Sequence, residues 1–218
     1  FCGKEDCGIW PGLETAFAFR GHTEARTSVE SNLTIPGTVI DPGITVLIDT
    51  IDSYQPDIFS AGILYHFSDN FRAAVTVEQQ NWNDLEDELA RDTVKDQAFA
   101  TFKDIVVPRV GAEWTVNEHL ILSAGVAYQE SPLESIQTPD VNYLDSDKII
   151  AGVGSSLIIQ NPPILAYPLR LDFGYQFQKL EERDFELTTT RPGVANPYEV
   201  VTADGDVHVF SGSITLKF

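Results

Sequence analysis

Three arginines stand on the polar sides of alternating segments, and their guanidinium groups are the side chains best suited to hold a ligand. The arginines are Arg72, Arg109 and Arg170, and the acidic residues that share the polar faces of the same segments are Glu78, Glu113 and Asp172. A guanidinium binds a carboxylate through paired hydrogen bonds, so each arginine could hold an anionic group of a ligand. The arginines could instead form ion pairs with these acidic residues and rigidify the segments that carry them. The sequence leaves both interpretations open.

The two cysteines, Cys2 and Cys7, are separated by four residues near the start of the chain. In an oxidising compartment, a small loop closed by a disulfide is the expected arrangement. A metal site is the weaker alternative, because no further cysteine or nearby histidine completes a set of ligands. We therefore predict a disulfide between Cys2 and Cys7 and no bound metal.

The histidines indicate no catalytic centre. None of His22, His66, His119 and His208 has a nucleophile at a useful spacing, and the Gly-x-Ser-x-Gly turn of serine hydrolases does not occur. We predict that the chain is not an enzyme and that it needs no cofactor.

Acidic residues outnumber basic ones by 33 to 14, which gives a net charge of −19. This balance disfavours nucleic-acid binding, because phosphate contacts need clustered lysine and arginine. We expect the acidic excess to lie in long loops. It could simply keep the protein soluble in a salty environment, or it could bind divalent cations, although no segment has the spacing of an EF-hand loop.

No run approaches the ~20 apolar residues of a transmembrane helix. This does not exclude the membrane, because a barrel strand needs only about 10 residues with alternate positions apolar. The sequence also contains no methionine and no signal peptide. We therefore expect it to begin after processing or inside a longer protein, and we favour the second.

Apolar and polar residues alternate along much of the chain with the period of two that is typical of β-strands. In the last such segment, Phe210, Ile214 and Phe218 share one side, and Ser211 and Lys217 share the other. The pattern predicts about eight strands. They lie within residues 13–33 and at residues 57–67, 71–82, 107–116, 119–129, 147–159, 168–178 and 209–218.

Two features predict that the apolar sides of these strands face lipid. Aromatic residues such as Phe59, Phe67, Trp82 and Trp114 recur near strand ends, as in the interfacial girdles of membrane barrels. Short connections also alternate with long ones, the long ones being residues 83–105, 130–146 and 179–204. We predict an all-β fold, a transmembrane antiparallel β-barrel, as a single domain over residues 1–218. A soluble lipocalin-like barrel is the alternative, and it would turn the aromatic side inward.

The connections carry apolar residues of their own. Residues 83–102 could form a short amphipathic helix or an irregular acidic loop, and residues 33–52 could form a hairpin that projects above the membrane. Four apolar residues of the first connection could form a groove that captures a ligand, or could simply pack the loop. They are Leu85, Leu89, Phe99 and Phe102.

The order of several short motifs resembles the C-terminal half of the FadL family of outer-membrane transporters. The motifs are residues 54–57 (YQPD), 80–83 (QNWN), 108–114 (PRVGAEW), 122–132 (LSAGVAYQESP), 138–140 (TPD) and 171–175 (LDFGY), with Phe218 at the end. The resemblance covers roughly residues 13–218, and family members are about twice as long. It implies a fourteen-stranded barrel, of which these strands are the C-terminal part. A small barrel closed by these eight strands alone is the other possibility.

The resemblance also implies a function and a location. It predicts passive transport of long-chain fatty acids, hydrocarbons or other hydrophobic compounds through the bacterial outer membrane, by capture at the loops and passage through the lumen. The implied partners are the hydrophobic ligand, outer-membrane lipid including lipopolysaccharide, and the barrel-assembly machinery that reads the last strand. A structural or adhesive barrel with acidic external loops is the alternative function.

Overall fold

The computed structural model describes residues 12–35, 39–91, 100–139, 144–160, 162, 167–189 and 192–216. Cys2, Cys7, Phe99 and Phe218 lie outside these residues, so the predictions made for them stay predictions. The described residues form eleven strands and one helix. These are β1 (Leu13–Arg20), β2 (Thr23–Ile35), β3 (Val39–Gln55), β4 (Asp57–His66), β5 (Phe71–Asn81), α1 (Asp84–Ala90), β6 (Ile105–Asn117), β7 (Leu120–Gln129), β8 (Gln137–Pro139), β9 (Lys148–Ile159), β10 (Leu169–Thr188) and β11 (Glu199–Leu216).

Eight of the strands form one antiparallel sheet in the order β1-β4-β5-β6-β7-β9-β10-β11. Short turns join β4 to β5 and β6 to β7, as predicted, and long connections lie at the opposite end of the sheet, which we call the loop end. Strands β1 and β11 lie at the two edges, and within the described residues they do not pair with each other. The eight strands therefore do not close a small barrel by themselves in this structure.

Strands β2 and β3 pair with each other as a long hairpin that continues the β1–β4 pair at the loop end. Arg20 faces Ile58 and Thr23 faces Gln55, so the register runs unbroken across Gly21, His22 and Pro56. At about 3.3 Å per residue, β2 alone is about 43 Å long. The hairpin predicted within residues 33–52 is thus part of a much longer one, which we call the projecting hairpin.

The connection predicted at residues 179–204 is wrong, because most of it is strand. Strand β10 runs on to Thr188 and β11 already begins at Glu199. The register shifts by one residue between Leu180 and Arg183. Such a bulge moves every later side chain to the other side of the strand, so the alternation loses its phase there. The charged run from Glu181 to Asp184 further interrupts the alternation by which a strand is recognised in the sequence.

The two faces of the sheet differ sharply in polarity. Large apolar side chains on one face are exposed, among them Phe17 (84%), Phe210 (78%) and Ile214 (74%). The other face carries the arginines, the carboxylates and most of the serines of the strands. We call these the apolar face and the polar face. No helix within the described residues is long and apolar enough to cross a membrane.

Tightly buried apolar side chains gather at the loop end of the sheet. This loop-end cluster comprises Leu85, Leu89, Ala100, Phe102, Leu133 and Phe185, and Ile51, Tyr54, Trp82 and Ala203 pack against it. Its members come from α1, from the connections after β5 and β7, and from the end of β10. The cluster therefore packs the long connections against the loop end of the sheet.

The connection after β5 begins with a helix, which resolves the choice that the sequence left open. Helix α1 carries Asp84, Glu86 and Asp87 in its first turn, where negative charge is favoured by the helix dipole. Leu85 and Leu89 are four residues apart, so both point to one side and are buried in the loop-end cluster.

Replacing Leu89 by alanine should destabilise the loop-end cluster by about 2–5 kcal/mol, because the side chain is 1% exposed and its removal leaves a cavity. Limited proteolysis should then cut the connections faster, while circular dichroism shows an unchanged sheet. Leu47→Ala, at a position that is 52% exposed, is the matched control and should leave the cutting rate unchanged. Equal rates for both variants would contradict the role given to the cluster.

Candidate functional site

All three predicted arginines are held in ion pairs on the polar face. Arg72 Nη2 lies 2.8 Å from Glu113 Oε1, directly across the β5–β6 pair. Arg109 faces Thr76 and reaches Glu78 Oε2, one step further along β5, at 2.8 Å. The structure thus brings together the six residues that the sequence singled out, and it joins two of the arginines to acids of a neighbouring strand.

The third arginine belongs to a denser polar group near the turn end of β10. Arg170 Nε donates to Asp172 Oδ1 at 2.7 Å, and its Nη2 donates to Ser156 Oγ at 2.9 Å. Ser156 and Ser213 donate to the two oxygens of Asp172, at 2.5 and 3.0 Å. This group ties β9, β10 and β11 together, and its three donors engage both oxygens of the Asp172 carboxylate.

Between the ion pairs the polar face is lined by small residues. Gly111, Gly125 and Gly152 lie side by side on β6, β7 and β9. They border a hollow of about 850 Å³, which Arg109, Arg170 and Asp172 also line. A Cβ at Gly125 would lie 3.1 Å from the carbonyl oxygen of Val110, so a larger residue there would push against the neighbouring strand. The small residues leave room for a ligand along the wall.

Three of the four apolar residues predicted to form a capture groove are packed inside the protein. Leu85, Leu89 and Phe102 are buried in the loop-end cluster, which favours plain loop packing for these three. Tyr54, at the root of the projecting hairpin, packs against Trp82 with ring centroids 6.1 Å apart. Burial, followed by the charges of Asp84 and Asp57, raises the pKa of the Tyr54 phenol to about 12, so this side chain stays neutral.

The projecting hairpin presents a different apolar surface, which is exposed. Val29 pairs with Ile48 and Leu33 with Ile44, and Val46 lies between them. These five residues form what we call the hairpin face, and each is between 42% and 50% exposed. Val29 and Leu33 share the parity of Phe17 and Phe19. A register shift between Ala25 and Arg26 brings their partners on β3 to the same side, so the hairpin face continues the apolar face of the sheet. An ion pair of 2.7 Å between Arg26 and Glu88 fastens the hairpin to α1.

A polar junction fastens the connection after β7 to the sheet. Asp147 accepts hydrogen bonds from the Ser131 backbone N–H and the Tyr128 hydroxyl, each at 2.7 Å. Burial alone would raise the pKa of Asp147. These two hydrogen bonds, with the nearby charges of Lys103 and Arg183, instead lower it below its ordinary value of 3.8. The carboxylate is therefore ionised at neutral pH.

Arg183 also belongs to this junction, although the sequence did not indicate it as a site residue. Its guanidinium donates to Ser131 Oγ and to the carbonyl oxygens of Glu134 and Asp145, at 3.1–3.2 Å, and stands 5.2 Å above the Phe185 ring. These partners lie 38 to 52 residues away in the sequence. No local pattern could have indicated them.

An antiparallel sheet with one exposed apolar face and one ion-paired polar face is the wall of a transmembrane β-barrel. Residues 15–218 match the family model described as outer membrane protein transport protein (OMPP1/FadL/TodX). The chain belongs to this family. The predicted barrel fold, the resemblance and the outer-membrane location are thereby confirmed, and the lipocalin-like alternative is wrong, because the aromatic side is the exposed one. The family's description as transport proteins also supports the prediction that the chain is not an enzyme.

Among curated proteins, the chain is 45% identical over 224 residues to alkane uptake protein A of Marinobacter nauticus. The match covers all of this chain and 48% of that protein, so the chain spans about half its length. The fold is similar to a crystal structure of a Pseudomonas aeruginosa FadL homologue, with a TM-score of 0.60, 16% identity, and coverage of 94% of this chain and 48% of that one. It is also similar to the CymD monoaromatic hydrocarbon channel, with a TM-score of 0.53, 16% identity, and coverage of 96% and 48%.

The Asp147 junction should weaken in acid. Because folding lowers this pKa, the ionised carboxylate contributes stability at neutral pH, and that contribution is lost as the pH falls below 3.8 through the lowered pKa. Proteolysis of the 130–147 connection by an acid-tolerant protease should accelerate over that range. Asp147→Asn should already be cut faster at neutral pH and should lose the acid step. Asp204→Asn, at an exposed position on β11, is the control and should behave like the unmodified protein.

Proposed function

We propose that this protein takes part in the passive uptake of hydrophobic small molecules across the outer membrane. The observation that carries the proposal is the hollow of about 850 Å³ on the polar face, which is lined largely by glycine, alanine and serine and bordered by ion pairs. A wall of this shape leaves a path for a ligand along the lumen while its apolar face stays in lipid. Membership of the transport family supports the same function.

The name of the similar alkane uptake protein favours hydrocarbons as the ligand. Long-chain fatty acids, which the resemblance to the FadL family also implies, are the second ligand class. Neither assignment depends on an enzymatic step, because passive uptake needs only a continuous path and a concentration gradient.

We place the first contact with the ligand on the hairpin face. Capture at the loops requires an apolar surface that a ligand can reach, and the helix residues Leu85 and Leu89 are buried. Val29, Leu33 and Ile48 are exposed, and they stand about 10 to 14 residues beyond the aromatic pair Phe19 and Phe59 near the loop end of β1 and β4. At about 3.3 Å per residue, that places them roughly 30–45 Å further along the strands.

The other partners follow from the location. Outer-membrane lipid, including lipopolysaccharide, would cover the apolar face. The barrel-assembly machinery would read the closing strand, of which the structure describes β11 as far as Leu216. Both remain proposals.

A structural or adhesive barrel is the second candidate, and the ion-paired arginines favour it. Arg72, Arg109 and Arg170 are each joined to a carboxylate on the described part of the sheet, as a stiffening network requires. A structural or adhesive role predicts that the acidic loops are the interaction surface and that the protein takes up no hydrophobic molecules.

Uptake should be measured with labelled hexadecane in a Gram-negative host that lacks a transporter of this kind. Cells that produce the protein should accumulate hexadecane faster than cells with an empty vector, and the rate should saturate with the amount of protein in the outer membrane. A rate equal to that of the empty vector, with folded protein present, would contradict transport and favour the structural role.

Replacing Val29, Leu33 and Ile48 together by serine should slow the uptake of hexadecane supplied as droplets by roughly tenfold, because about 1.4 kcal/mol of apolar contact is lost. The matched control carries Asn32→Ser and Thr45→Ser, which change the opposite side of the hairpin, where Thr45 donates to Asn32. The control should transport normally. If both variants slow uptake equally, the effect comes from the hairpin's stability and not from its apolar face.

A further inference from the structure

We propose that the ion pairs on the polar face make this wall selective for uncharged hydrocarbons and unfavourable for long-chain carboxylates. The inference rests on the proposed uptake function and specifies the ligand class of the same path. It is carried by the geometry of the arginines, which the sequence alone offered as anion-binding groups.

The described residues that line the hollow include no cation that is free to receive an anion. Among its described lining residues, Arg109 and Arg170 are the only cations. Arg109 is bound to Glu78 at 2.8 Å, and Arg170 is bound to Asp172 at 2.7 Å and to Ser156 at 2.9 Å. Arg72, further toward the β4–β5 turn, is bound to Glu113 at 2.8 Å. Each of these three guanidinium charges is thus already balanced within the wall.

A fatty-acid carboxylate would have to displace Glu78 or Asp172 to reach a guanidinium. The displaced acid would remain beside it on the same wall, and two carboxylates at one site repel each other. Asp172 is held in addition by Ser156 and Ser213, so moving it would break several hydrogen bonds. An alkane or an arene requires no such exchange, since it carries no charge.

The space between the ion pairs suits an uncharged ligand. Gly111, Gly125 and Gly152 lie between the Arg109–Glu78 pair and the Arg72–Glu113 pair, and their backbones line the hollow without adding charge. Arg20 shares this face, but it lies on the edge strand β1 opposite Ile58 and does not line the hollow.

The test compares three ligands of equal chain length in producing cells at about pH 7.5, where carboxyl groups are ionised. These ligands are hexadecane, methyl palmitate and palmitate. The unmodified protein should take up hexadecane and the methyl ester faster than palmitate. The ester separates charge from size, because it differs from palmitate in the capped carboxyl group.

Freeing one arginine should relax the selectivity. Glu78→Gln and Asp172→Asn should each raise palmitate uptake by about two- to fivefold, the range expected for one partly exposed ion pair. The readout is the ratio of palmitate uptake to hexadecane uptake in the same cells, because a general effect on the path changes both rates and leaves this ratio unaltered. The control is the double variant Glu78→Gln with Arg109→Gln, which removes the pair without releasing a cation and should show no gain for palmitate. The mobility shift of folded barrels on gels reports whether each variant is folded.

The outcomes separate this inference from the proposed function. If none of the three ligands enters faster than with an empty vector, uptake itself is wrong. If palmitate enters the unmodified protein as fast as its methyl ester, or if the folded single variants gain nothing for palmitate, the selectivity is wrong while uptake stands. If a single variant does not fold, the comparison of palmitate with methyl palmitate in the unmodified protein still tests the selectivity.

Discussion

The constraint on which the rest of the structure depends is the hydrogen bonding of the backbone in lipid. The bilayer offers no water to an N–H or C=O group, so every strand that crosses it must be paired on both sides. The unbroken antiparallel order from β1 through β4 to β11 meets this requirement for the inner strands. The pairing also fixes the direction of each side chain, because alternate residues point to opposite faces. Lipid therefore receives the apolar face, and the charges are confined to the other.

That confinement explains why the charged residues occur as pairs. A carboxylate or guanidinium on the lumen side is only partly hydrated, so an opposite charge within reach stabilises it. The antiparallel register places Arg72 beside Glu113 and sets Arg109 within reach of Glu78. The same pairs that stabilise the wall also neutralise the positive charges of Arg109 and Arg170 beside the hollow. Stability and ligand preference are thus consequences of a single arrangement.

The sequence predicted the strands well where the alternation keeps its phase. Strands β4, β5 and β7 begin and end within a residue or two of the predicted bounds. It failed between residues 179 and 204, where the bulge near Leu180 reverses the phase and charged residues occupy both sides. The sequence identified all six charged residues of the site. Which of them form pairs depends on the register between neighbouring strands, and the sequence of a single strand does not specify that register. The burial of Leu85 and Leu89 depends on residues as distant in the chain as Phe185, and the hydrogen bonds of Arg183 reach partners 38 to 52 residues away. No local pattern reports such contacts.

The edges of the sheet bear on how the wall is completed. Strands β1 and β11 each have one neighbour among the described residues, so each exposes a row of unpaired backbone groups. In lipid such an edge is unfavourable, and a closed barrel is the arrangement that removes it. These two edges do not pair with each other here, and the related proteins that share this wall extend over about twice its length. In a closed barrel both edges are paired, and the polar faces of the strands that close it lie across the lumen from the Arg109–Glu78 and Arg170–Asp172 pairs.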